Sequence, residues 1–118
     1  MAENPESNPP MVVALARDLM FSSKITAEGR AAGVGVRIVR DPADLPPDAR
    51  LLLVDLALEG AIEAAAAWGR NCGRPVVAFV SHVDEQTIAR ARAAGLENVM
   101  SRGGFTRQLP RILRELTG

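Results

Sequence analysis

With 118 residues and 14 Lys or Arg against 14 Asp or Glu, the chain can bury one core and carries no formal net charge. That balance gives no global pull towards nucleic acid or an acidic membrane. A single cysteine, Cys72, excludes an internal disulfide and any multi-cysteine zinc site, and fits a cytoplasmic location. Residues Met1 to Pro10 are polar and proline-containing, without the apolar stretch of a signal peptide. They read as a disordered leader ahead of one domain over 11–118. No apolar run approaches the roughly 18 residues of a membrane span.

Met11 to Ala16 is the first predicted strand, followed by a connecting loop from Arg17 to Phe21. Ser22 or Ser23 is expected to cap a helix that ends near Ala32, with Gly33 as its stop. Phe21, Ile25, Gly29 and Ala32 fall on one side of that helix. Val34 to Val39 is the second strand. The stretch Pro42 to Arg50 holds three prolines and supports at most one helical turn. Leu51 to Leu56 is an unbroken apolar run with one carboxylate, Asp55, as suits a strand covered on both faces of a parallel sheet. A helix over Glu59 to Arg70 should bury Ile62, Ala65, Ala66 and Gly69. Trp68 falls off that stripe and is read either as a partly exposed interaction candidate or, as the commoner outcome, as a residue along the domain edge that shields alanine.

Pro75 to Ser81 gives the fourth strand. Asp84 caps the next helix, which stops at Gly95, and Val99 to Ser101 is a short fifth strand. The last helix is predicted from about Thr106, with Pro110 tolerated in or near its first turn and Leu109, Ile112, Leu113 and Leu116 buried. Alternation of strand and helix, with right-handed crossovers, gives an α/β fold. Its expected form is a doubly wound, five-stranded parallel sheet in a flavodoxin-like three-layer sandwich.

Ligands of such sheets gather outside the carboxyl ends of the strands, where Asp55 stands. The bland reading of Asp55 is a salt-bridged strand-end carboxylate, and Asp18 is read as a partner in the same cleft or equally as a helix-capping or solvent-facing acid. Ser22-Ser23-Lys24 at a helix start is read as an anion cradle or, more plainly, as simple caps. With no glycine-rich loop after the first strand, neither a Walker A nor a dinucleotide fingerprint is present. His82, the only histidine, belongs to no catalytic arrangement that the sequence can assemble. Arg107, Arg111 and Arg114 share one helix face, read as solvated, and no nucleic-acid motif accompanies them.

In this order the segments Leu53-Val54-Asp55-Leu56-Ala57-Leu58-Glu59-Gly60, Pro75 to His82 and Ala91-Arg92-Ala93-Ala94-Gly95 leading to Val99-Met100-Ser101-Arg102-Gly103 resemble the response regulator receiver domain, over about Met11 to Leu116. The resemblance implies a receiver-like fold in two-component signalling, with Asp55 as the phosphoacceptor-like residue. It also implies a supporting cleft of Arg17, Asp18, Ala57, Val80, Ser81 and Arg102. The family's acidic pair falls on Ala16-Arg17 or Arg17-Asp18, its Thr or Ser on Val80, with Ser81 one residue late, and its lysine on Arg102.

Acyl-phosphate formation on a carboxylate needs a cation to neutralise the phosphoryl oxygens, and Mg2+ needs oxygen ligands that Arg17 would displace. At about 4 Å and an effective dielectric near 20, an Arg–carboxylate pair gains roughly 4 kcal/mol before desolvation. At least one of Asp18 and Asp55 is therefore expected within reach of Arg17 or Arg102. The implied function is a non-enzymatic, atypical or pseudo-receiver that acts by protein partner binding or self-association without phosphorylation, without a metal or cofactor. The interaction face would be the family's fourth helix, fifth strand and fifth helix, here Arg90, Arg92, Val99, Met100, Arg107 and Arg111.

Two other readings stand beside it. One is a working receiver phosphorylated on Asp55 by a histidine kinase, with Mg2+ on Asp18, Asp55 and the Ala57 position. The other is a flavodoxin-like small-ligand or anion binder that uses the loops Arg17 to Lys24 and Ser81 to Asp84.

Overall fold

A computed structural model describes residues 12–81 and 84–117. The leader and His82 lie outside the described residues. Five parallel strands form one sheet in the order β2-β1-β3-β4-β5. They are β1 (Val12–Leu15), β2 (Val36–Val39), β3 (Leu51–Asp55), β4 (Val76–Val80) and β5 (Val99–Ser101). This is the flavodoxin-like strand order. β1 and β3 are buried along their whole length because helices cover both sheet faces, which is why their sequences are continuously apolar.

Four helices, α1 (Leu19–Ala32), α2 (Ala61–Cys72), α3 (Glu85–Ala93) and α4 (Arg102–Thr117), form the outer layers. The β2–β3 crossing carries one 3-10 turn, Pro42–Asp44, where the repeating pattern would place a fifth helix. Asp41 starts that turn by accepting the Ala43 amide, and the three prolines prevent a longer helix.

The two faces of the sheet have different cores. On the α1/α4 side lie Ile25, Leu51, Leu53, Val77, Leu109 and Leu113 around three phenylalanines. Phe79 stacks on Phe105 at 4.4 Å between ring centroids, and Phe21 tilts against both at 5.0 and 5.8 Å. On the α2/α3 side the packing is aliphatic and small, through Val13, Leu52, Val54, Ala65, Ala78 and Ala91.

Trp68 belongs to this second core. It is 6% exposed, packs in the cluster with Ala61, Ala65 and Ala66, and donates its indole N–H to the Pro46 carbonyl at 2.7 Å, so it is not a partly exposed interaction candidate. Without a helix in the β2–β3 crossing, the indole fills the space and ties the crossing to α2. Gly29 makes the equivalent close approach on the other face, where a Cβ would run into the Val36 side chain.

Three helix starts differ from expectation. Asp18, rather than Ser22 or Ser23, is the N-cap of α1 and accepts the Phe21 amide at 3.1 Å. Leu19 and Met20 therefore open the helix instead of lying in a loop. α4 begins at Arg102 because Ser101 Oγ accepts the Gly104 amide at 3.0 Å, which lets the glycine pair Gly103-Gly104 join the first turn. Pro110 consequently lies inside α4 and not near its start. α2 likewise runs Ala61–Cys72, two residues later than predicted at each end, between left-handed Gly60 and Gly73.

Candidate functional site

All five strands point their C-terminal ends to the same edge, so the residues that follow them meet there. Asp55 closes β3. It is 6% exposed, and its Oδ1 accepts the Ala57 amide at 2.9 Å, so the carboxylate folds back on its own turn. Among the described residues it has no ion-pair partner. Ala57 is exposed beside it. Val80 is buried at the end of β4 and offers no hydroxyl, while Ser81 has left the strand and is exposed. A cavity of about 90 Å³ separates this group from Asp84 and Thr87 at the start of α3.

The β1 and β5 ends are joined directly. Arg102 Nη2 donates to Asp18 Oδ2 at 3.0 Å, linking the first residue of α4 to the cap of α1. The guanidinium carbon lies 4.1 Å from the Phe21 ring centroid, and the ring thus holds it from below by a cation–π contact. The Phe21 amide, and after it the Arg102 guanidinium, hold the Asp18 carboxyl below its ordinary value of 3.8. Asp18 thus has one oxygen on a backbone amide and the other on a guanidinium.

Arg17 takes no part in this arrangement. Its Nε donates to the Arg40 carbonyl at 3.1 Å over the end of β2, so the cation in the cleft is Arg102. Ser22 sits in the second turn of α1 with 7% exposure, and Ser23 points to solvent, so no serine pair lies at a helix N-terminus to cradle an anion. Arg90 turns to Glu63 of α2 at 3.5 Å, away from β5 and α4. Val99 and Met100 are half-buried and pack on opposite faces of the sheet. Arg107 and Arg111 are exposed on α4, with Arg111 3.5 Å from Glu115.

Sequence reasoning missed Phe21 as the platform for Arg102, and it missed the two large apolar side chains most open to solvent, Leu19 at 68% and Met20 at 85%. The signal available was Asp18 itself, an N-cap residue three positions before the amide it accepts.

No protein-family model matches the chain, and no curated protein matches it by sequence. Solved structures do. The signal receiver domain of a DNA-binding response regulator from Colwellia psychrerythraea 34H matches with a TM-score of 0.73 at 15% identity, over 91% of this chain and 98% of that one. A response regulator from Thermotoga maritima gives 0.70 at 13%, over 92% and 98%. The BeF3-activated DrrB receiver domain gives 0.74 at 11%, over 93% and 98%.

The chain has the receiver fold. Receiver chemistry uses Mg2+, and the residues at this edge do not fit that ion. Both Asp18 oxygens are taken, one Asp55 oxygen is taken, and a fixed guanidinium is bonded to Asp18. Among the described residues no three His, Cys, Asp or Glu side chains come together as a group. No described helix is long and apolar enough to cross a membrane.

Proposed function

We propose that this receiver-fold chain is a signalling module that works through protein–protein contact and not through phosphoryl transfer. The observation that carries the reading is the Arg102–Asp18 pair, 3.0 Å long, which joins the acid and the cation that phosphorylation would need free. Val80 in place of a hydroxyl supports it. In this reading the chain is non-enzymatic, works in the cytoplasm, needs no cofactor and binds neither nucleic acid nor membrane.

The proposed contact surface is the face of α3, β5 and α4, centred on Arg107 and Arg111 with Val99 and Met100 beside them. Arginine next to apolar surface is a composition favoured at interface centres. Arg90, held by Glu63, contributes to α2 rather than to this face. A second reading keeps Asp55 as a phosphoacceptor, because it still stands at the end of β3 with no ion pair among the described residues.

Sedimentation of wild type and the Arg107→Glu/Arg111→Glu double variant, with and without Mg2+ and beryllofluoride, separates the two. Self-association or partner binding should be the same with and without beryllofluoride and weaker in the variant. Association that appears only with beryllofluoride overturns the first reading in favour of the second. Association that is unchanged in the variant overturns the assignment of the face.

A further inference from the structure

β2 is covered differently from the strands beside it. Val36 and Ile38 are half-buried, Arg37 is exposed and Val39 is buried, whereas β1 and β3 are buried throughout. Among the described residues β2 lies at the margin of the sheet, with β1 as its one neighbouring strand. Val12 N–H donates to Gly35 O, and Ala16 N–H to Val39 O, each at 3.0 Å. Gly35, Arg37 and Val39 therefore turn their backbone groups inward. By strand alternation, the N–H and C=O groups of Val36 and Ile38 face outward.

The surroundings of that margin are specific. On the α1 side a groove of about 390 Å³ runs between Leu19, Ser22, Ala27, Arg30 and Ile38. Ser22 Oγ, on a side chain over nine-tenths buried, has no hydrogen-bond partner among the described residues. On the opposite side Arg37 stands in the open, because the short β2–β3 crossing lays no helix over it. Arg17, Arg30, Arg37 and Arg40 are all exposed, and among the described residues none has a carboxylate partner. Of the nearby acids, Asp41 is engaged in starting the 3-10 turn.

We propose that the β2 margin and the α1 groove form a docking site for an acidic, extended polypeptide segment of a partner protein, added to the sheet as a further strand. Its backbone would meet the outward groups of Val36 and Ile38. Alternate side chains would enter the groove beside Ile38, where apolar groups fit, and the others would carry carboxylates to Arg37 on the opposite side of the strand. Main-chain bonds supply affinity in this mode, and the pockets for alternate side chains supply specificity. A second copy is the poorer occupant, because pairing β2 with β2 brings Arg37 and Arg40 of one copy against those of the other. Nucleic acid or anionic lipid would satisfy the arginines yet leave the strand margin and the groove unused. The site lies on the margin of the sheet opposite β5, and it stands whether or not the α3–β5–α4 face is an interface.

The probe is a fluorescein-labelled peptide of alternating Glu and Val, about six residues long, a common strand length. It is titrated into the full chain by anisotropy, with amide hydrogen exchange measured in parallel. The peptide should bind and slow exchange at Val36 and Ile38, while a Lys–Val peptide does not bind. Arg37→Glu should weaken the acidic peptide by about tenfold or more and let the Lys–Val peptide bind. Ala27→Phe, which fills the groove from an exposed helix position, should weaken binding with an unchanged melting temperature. Arg107→Glu/Arg111→Glu should leave it intact. The proposal is overturned by no binding at about 1 mM peptide, or by binding that leaves the Val36 and Ile38 amides unprotected. Equal binding of the Lys–Val peptide to wild type also overturns it. So does protection of those amides by self-association alone, by an oligonucleotide or by anionic vesicles.

Discussion

The centre and the flank of the strand-end edge handle a carboxylate in opposite ways. At the centre, Asp55 is nearly buried and bonds to the amide of its own turn. At the flank, Asp18 is partly exposed, caps α1 and reaches across the fold to Arg102. The flank has a cause in packing, since the Phe21, Phe79 and Phe105 cluster lies under the guanidinium and fixes α1 against α4. In the proposed reading without phosphorylation, the change lies beside the acceptor and not in it, at the β1 and β5 ends that Asp18 and Arg102 fasten to each other.

The largest effect expected from breaking this contrast is at the aromatic floor. Phe105→Ala should cost about 3–5 kcal/mol in urea unfolding, against about 1–3 kcal/mol for Val54→Ala under Asp55. If Val54→Ala proves the costlier, the flank is not anchored by its phenylalanines. A smaller effect concerns acid. The Asp18 carboxyl titrates below its ordinary value of 3.8, so its contribution to stability is present above that value. That contribution is lost as the pH falls through the lowered folded value. Comparing urea midpoints at about pH 5 and pH 2, Asp18→Asn should show a smaller acid-dependent loss than wild type. The smallest effect is at the centre. Asp55→Asn keeps an oxygen for the Ala57 amide and should change stability by less than about 1 kcal/mol. In sedimentation with and without beryllofluoride, it should behave like wild type.

The three inner strands were legible because buried parallel strands must be continuously apolar, and the runs from Val12, Leu51 and Val76 are. Gly33 and Gly73 marked helix ends through the left-handed backbone that each adopts. The helix starts were less legible. Asp18 and Ser101 cap through side-chain oxygens, and the residues after them, Leu19-Met20 and Gly103-Gly104, read more naturally as loop. Which arginine would enter the cleft depended on where α4 begins, four residues earlier than expected, which periodicity cannot decide. Burial of Trp68 depended on a partner 22 residues away, the Pro46 carbonyl, and no helical wheel contains it.

That indole has a practical consequence. The chain has one Trp and no Tyr, so its near-ultraviolet emission comes almost entirely from a ring bonded to the β2–β3 crossing. Emission should be blue-shifted while the crossing stays docked, and should move to longer wavelength when Pro46 swings away, even before the rest of the chain unfolds. Release of the crossing from α2 would therefore be followed by light alone, with no label attached to the protein.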